Sequence, residues 1–134
     1  MSPGERDLTR LLASLSPLLD PEEYGFGLLP PEAPLPLAPL ALFREAEGTT
    51  LIAPAQDLAR AGVPHVAGWA RITLMVHSSL AAVGLTAVVA QALTSAGIPA
   101  NMVAAYHHDH LFVPWAQRQA ARDVLDRLAA AARA

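Results

Sequence analysis

The chain has 134 residues, a formal net charge of −3 and no cysteine. A chain of that length buries a core without covalent staples, and the missing cysteine excludes a disulfide scaffold, a thiol nucleophile and a cysteine-ligated metal or iron–sulfur site. Every basic residue is an arginine, so P-loop, Schiff-base and kinase-type lysines are excluded too, while the acidic balance and scarce aromatics point away from nucleic acid.

In chain order, Ser2-Pro3-Gly4-Glu5 reads as a capping box with Pro3 at the first helical position. Leu8, Leu11, Leu12 and Leu15 then recur at helical spacing, and Ser16-Pro17 ends the helix. Tyr24-Gly25-Phe26-Gly27-Leu28 alternates large and small as a strand does, and its glycines imply close packing on the second face. Pro30, Pro31, Pro34, Pro36 and Pro39 make a stiff, extended connector. It suits either a proline-binding module or a plain loop between strands; the absence of a flanking basic residue favours the loop. Leu40–Arg44 and Thr49–Ile52 form a hairpin around a turn in which Gly48 supplies positive φ, and Pro54 to Ala61 is a short helix stopped by Gly62.

No Asp, Glu, Lys or Arg occurs between Arg71 and Asp109. A membrane-spanning helix needs about 20 continuous apolar residues, and here His77, Ser78, Ser79, Gly84, Gln91, Pro99 and others interrupt the run. A buried strand–helix–strand unit accounts for it better. Ile72, Leu74 and Val76 mark a strand. Ser78 or Ser79 caps a helix running to about Ser95, apolar on nearly every face and therefore expected to be covered on more than one side, with Gly97 beyond its end. Pro99–Ala105 is a strand, His107–His110 a turn or strand start, and Leu111–Val113 a strand. Pro114 opens the last helix, with Val124, Leu125 and Leu128 as its buried stripe and the pairs Asp123/Arg127 and Arg122/Asp126 outside.

The first half thus reads helix–strand–strand–strand–helix and the second strand–helix–strand–strand–helix. Each is one strand or one permutation from the βαββαβ split unit. Phe43–Leu51, His77–Ala87 and, most specifically, Gly97–Pro114 together resemble a family of small bacterial proteins, a domain of unknown function, that pair two ACT-like modules in one short chain. The module pair is similar to that of the eukaryotic cytosolic arginine sensors. The resemblance covers nearly the whole chain, although the proline-rich connector is longer than it leads one to expect. It implies an α+β fold of two ferredoxin-like half-domains, residues 1–65 and 66–134, with antiparallel sheets and helices packed on one face. It also implies a ligand class, amino acids or similar small metabolites.

The residues offer a place for such a ligand. A helix starting at Ser78/Ser79 presents free N–H groups, a favourable dipole and two hydroxyls to a carboxylate, and Gly84 one turn later allows close approach. The alternatives are an ordinary serine cap and a glycine placed for helix packing. Asp109, the first acid after the uncharged stretch, could pair with an ammonium or guanidinium group, and Asn101 on the preceding strand could orient the same molecule. Asp109 could instead bond its own turn, or pair with Arg71 or a histidine. His107-His108-Asp109-His110 invites a metal, but in an extended strand alternate residues face opposite sides and no single ion could take all four. No nucleophile elbow or glycine-rich dinucleotide fingerprint is present.

The expectation is therefore a non-catalytic binding or sensing protein with ligand-binding residues Ser78, Ser79, Gly84, Asn101 and Asp109, and without metal or cofactor. The rival is an assembly module without ligand. A homodimer fits either reading, membrane and nucleic acid are not expected partners, and the polar Met1–Asp7 segment, unlike a signal or transit peptide, fits a cytoplasmic location.

Overall fold

The computed structural model describes residues 7–76 and 82–134. The chain divides into two compact units, one of Pro21–Ala70 and one of Arg71–Ala134 with the described part of Met1–Asp20. Strands β1 (Pro17–Leu29) and β4 (His65–Leu74) supply residues to both.

In the unit Pro21–Ala70 the strand order is β2 (Ala41–Glu45), β3 (Gly48–Pro54), β1, β4. Antiparallel pairing sets Phe26 opposite Ile52 and Phe43 opposite Thr50. A short helix of Ala55–Arg60 packs on β3 and buries Leu58. Leu58 joins Leu29, Leu51, Ala53 and Val63 in one core. Full burial of each leucine or valine side chain there contributes about 1.5–3 kcal/mol.

The glycines of β1 make that core possible. A Cβ on Gly25 would sit 3.1 Å from Leu58 Cδ1, and one on Gly27 would sit 2.9 Å from Val63 Cγ1. Gly48 serves a related purpose and also supplies the positive φ, +156°, at the end of the turn. Ala46 and Glu47 make the turn, while a Cβ on Gly48 would lie 2.5 Å from the Leu29 carbonyl oxygen. The proline-rich connector is seated on the core: Ala33 and Leu37 pack against it, and Leu40 N donates to Ile52 O at 2.8 Å.

β1 begins earlier than its Tyr24–Leu28 pattern suggests. Its pairing with β3 starts at Tyr24, so Pro17 and Pro21 lie before that ladder begins. A strand edge tolerates proline because no ladder bond is lost there.

In the other unit the order is β1, β4, β6 (Asp109–Pro114), β5 (Asn101–Ala104). Helix α1 (Leu8–Ala13) has Asp7 as its cap, the carboxylate accepting from Arg10 N at 3.0 Å. Ser2–Glu5 lie outside the described residues. Naming the Ala55–Arg60 helix α2, the remaining helices are α3 (Leu85–Ser95) and α4 (Arg118–Arg133), the latter preceded by a 3-10 turn at Trp115–Gln117. Helix α4 packs on α1, α3 and β6.

Two expectations need correction. Helix α3 begins at Leu85 rather than at Ser78 or Ser79. It is also buried on a single stripe, Leu85, Val89 and Leu93, with Thr86, Ala87 and Gln91 exposed and the preceding Val83 83% exposed. Spacing of i, i+4, i+8 needs one covered face only, and alanine and valine elsewhere on the helix do not require a second. Helix α4 buries Ala121, Val124, Leu125 and Ala129, with Leu128 half-buried. Among the described residues no helix is long and apolar enough to cross a membrane.

Candidate functional site

The strands β4 and β6 lie side by side, and the Thr73 hydroxyl sits 2.9 Å from His110 Nδ1. That contact places Asp109, the first residue of β6, at the sheet end where β4 leaves toward residues 75–84 and the start of α3. This is the end of the unit to which the sequence assigns a ligand. Ser78 and Ser79 themselves lie outside the described residues.

Gly84 is the N-cap of α3, with φ +100° and ψ −18° and no side-chain cap. A Cβ there would lie 3.1 Å from Leu8 Cδ2. Glycine is thus needed at this position for its left-handed backbone and for the room it leaves α1. Asp109 is half-buried, and burial pushes its carboxyl above the ordinary 3.8, with His108 as the smaller, opposing influence. A half-buried carboxyl that has lost part of its hydration is a candidate to receive a cationic group.

Asn101 and Asp109 do not meet on one surface. The β5–β6 register sets Asn101 opposite Phe112 and Ala104 opposite Asp109. Directly opposed residues share a face and neighbours along a strand alternate, so Asn101 falls on the Val103/His110 face and Asp109 on the Met102/Leu111 face. Asn101 is exposed at the far end of the hairpin.

A second polar cluster, not anticipated, lies on the His110 face. Arg71 Nη1 is 3.6 Å from Asp20 Oδ2, and Arg71 Nη2 is 3.4 Å from His110 Nδ1. Arg71 and Thr73 therefore share a face with His110, while Ile72, Leu74, Leu111 and Val113 are fully buried on the opposite one. Arginine has donors only, which suits a neutral ring with an unprotonated Nδ1; the Thr73 hydroxyl can donate to the same nitrogen. Burial, then Arg71 and His108, depress the His110 pKa below 6.5. The signal was present in the sequence: Arg71 and Thr73 alternate with Ile72 and Leu74, as they must on a strand with one polar face. Arg71 pairs with Asp20 rather than with Asp109.

The histidine run is split between elements. His107 and His108 lie in the turn before β6, where His107 stacks edge-on against Tyr106 at 5.0 Å, and His110 is inside the strand. Among the described residues no three His, Asp or Glu side chains come together as a metal site.

Sequence models of the ACT domain match residues 3–69 and again residues 66–127. The chain belongs to the ACT-domain family. A solved structure from Vibrio cholerae, a protein of unknown function described as a possible transport protein, is 41% identical to this ACT chain, over 91% of it and 95% of the other, with a TM-score of 0.80. A protein from Agrobacterium tumefaciens is 17% identical, over 86% and 89%, with a TM-score of 0.73. The ligand-free regulatory subunit of aspartate kinase from Thermus thermophilus is 14% identical, over 84% and 95%, with a TM-score of 0.63. The last two show a shared fold. No curated protein matches the chain. ACT domains are typically regulatory, non-catalytic modules that bind small molecules such as amino acids.

Proposed function

We propose that this chain is a non-catalytic, cytoplasmic sensing protein that binds an amino acid at the β4–α3 junction, with no cofactor or metal. In this reading the half-domains divide near residue 65. Ser78, Ser79 and the backbone at Gly84 take the carboxylate, and Asp109 takes the cationic end. Asn101, on the other face of the hairpin, is not part of the same contact set. The observation that carries the reading is the position of Asp109: a half-buried carboxyl with a raised pKa at the sheet end from which β4 runs toward α3. Binding an ammonium there would restore the interactions that burial removed.

Calorimetry against the proteinogenic amino acids, on the wild type and on Asp109→Asn, tests this. One or more amino acids bind the wild type, and the variant binds at least about tenfold more weakly, or about 1.4 kcal/mol. Absence of binding at millimolar concentration to well-folded protein overturns the proposal.

One observation favours the assembly reading. Strand β5 ends its unit's strand order, and Asn101–Ala104 carries no charge to guard that edge. A homodimer formed there would sediment as a dimer, and Ala104→Lys would return it to monomer. A monomer at all concentrations rules this reading out.

A further inference from the structure

An open groove of about 610 Å³ runs between the end of α1 and the C-terminal half of α4. It lies away from Asp109 in sequence and in the elements that line it. On the α4 side Asp126, Ala129, Ala130 and Arg133 follow i, i+3, i+4, i+7 and form one stripe. The acid and the base are therefore two turns, about 10 Å, apart along the axis, with two methyl groups between them. Arg127 adds a second cation to the lining.

The other wall is Ser14, Leu15 and Ser16. Arg133 Nη1 donates to the Ala13 carbonyl at 3.0 Å. That bond ties the guanidinium to the α1 side and leaves its remaining donors for a carboxylate. The Ser14 hydroxyl donates to Arg10 O at 2.7 Å, so toward the groove its oxygen has lone pairs to offer and accepts from an ammonium. Leu15 and Ala129 are both buried, which gives the groove an apolar floor.

We infer that this groove is a second small-molecule site, for a compact zwitterion with one ammonium and two carboxylates. Arg127 and Arg133 receive the carboxylates. Asp126 and the Ser14 oxygen receive the ammonium. A cation-rich ligand such as lysine has too few acceptors for two guanidiniums, and a dicarboxylate without an amine leaves Asp126 facing like charge. The volume falls within the several hundred Å³ usual for small-molecule sites, and room beyond the ligand is filled by water.

The probe is L-glutamate, with L-lysine and glutarate as comparators, followed by amide chemical-shift titration of the full chain. Glutamate should shift residues of the α1 end and of Asp126–Arg133, with lysine and glutarate at least about tenfold weaker. Arg133→Gln and Asp126→Asn should each weaken glutamate about tenfold or more. Asp109→Asn should leave this titration unchanged, which separates the groove from the site at the β4–α3 junction. Unchanged Tm values for the variants confirm that packing of α1 on α4 survives; if Arg133→Gln unfolds the chain, Asp126→Asn and Arg127→Gln decide. Glutamate that causes no shifts, or shifts insensitive to Asp126 and the arginines, overturns the inference. So does binding lost in Asp109→Asn.

Discussion

Thr73 and His110 face each other across β4 and β6 with 2.9 Å between hydroxyl and Nδ1, and burial with the nearby Arg71 disfavours a charged ring there. Arg71 Nη2 stands 3.4 Å from the same nitrogen with only N–H groups to offer, which suits an unprotonated Nδ1. Protonation would set an imidazolium against a guanidinium in a half-buried position, where water screens the repulsion only in part.

Stability should therefore fall on mild acidification. The folded His110 holds its proton less tightly than the unfolded one, whose value is about 6.5. Below that value the unfolded state binds more protons, so stability decreases as pH drops from 6.5 through the lower folded pKa, and is fully present above 6.5. Urea unfolding at several pH values between 7.5 and 5 reads the slope. His110→Gln should flatten it; an unchanged slope would assign the acid sensitivity to other groups.

The glycines of β1 predict a packing penalty. Gly27→Val adds a branched side chain whose Cβ alone would be 2.9 Å from Val63 Cγ1 and 3.0 Å from Leu58 Cδ2. Overpacking of this kind costs about 1–3 kcal/mol. Because Leu58 is one of the two obstacles, Leu58→Ala should cost less in the Gly27→Val background than in the wild type. A double-mutant cycle by chemical denaturation measures the coupling, and strict additivity would contradict the contact.

Both halves of that relationship show how far the chain could be read in advance. The alternation of Tyr24, Phe26 and Leu28 with glycine announces a strand and a close neighbour, but only the fold shows that the neighbours are Leu58 and Val63. The order of elements was legible because periodicity and glycine or proline punctuation are local. Boundaries were not. Asp7 caps α1 beside its first described turn, and Gly84 starts α3 because a left-handed residue cannot lie inside a helix. The facing of Asn101 and Asp109 depends on hairpin register, and the Asp20–Arg71–His110 cluster on which strands become neighbours. Neither is a property of any single segment.

Helix α1 gives a local test. Asp7→Ala removes the carboxylate that accepts from Arg10 N, and loss of such a cap costs about 1 kcal/mol, in a range of 0.5–2. Since α1 packs on α4, the loss should register in the global unfolding midpoint. Asp7→Ser, which keeps an acceptor, should recover most of it. Equal midpoints for the alanine and serine variants would show that the cap bond is not what Asp7 contributes.

Gly84→Ala asks whether that glycine is there for the backbone. At φ +100° an L-residue is strained by about 1–3 kcal/mol, and the added methyl would press on Leu8 at 3.1 Å. The thermal midpoint should fall even without ligand. Leu8→Ala should relieve the steric part and not the conformational part, so the double variant recovers partially. A Gly84→Ala protein as stable as the wild type would leave ligand approach as the remaining reason for glycine.

Asp109 sets stability against binding. Its carboxyl titrates above 3.8 in the folded chain because burial disfavours the charged form. Between 3.8 and the raised value the folded state binds more protons, so the favourable contribution of the neutral acid is present below 3.8 and lost as pH rises through the folded pKa. At neutral pH the ligand-free protein thus carries a charge it would be more stable without. Asp109→Asn should raise the ligand-free midpoint at pH 7, leave it nearly unchanged at pH 3.5, and abolish stabilisation by the amino acid that binds the wild type. The pH comparison separates removal of a charge from any general effect of the amide, since only the former disappears in acid. If the variant is no more stable at pH 7, Asp109 is already compensated within the chain, and the reason for placing a cationic group against it is gone.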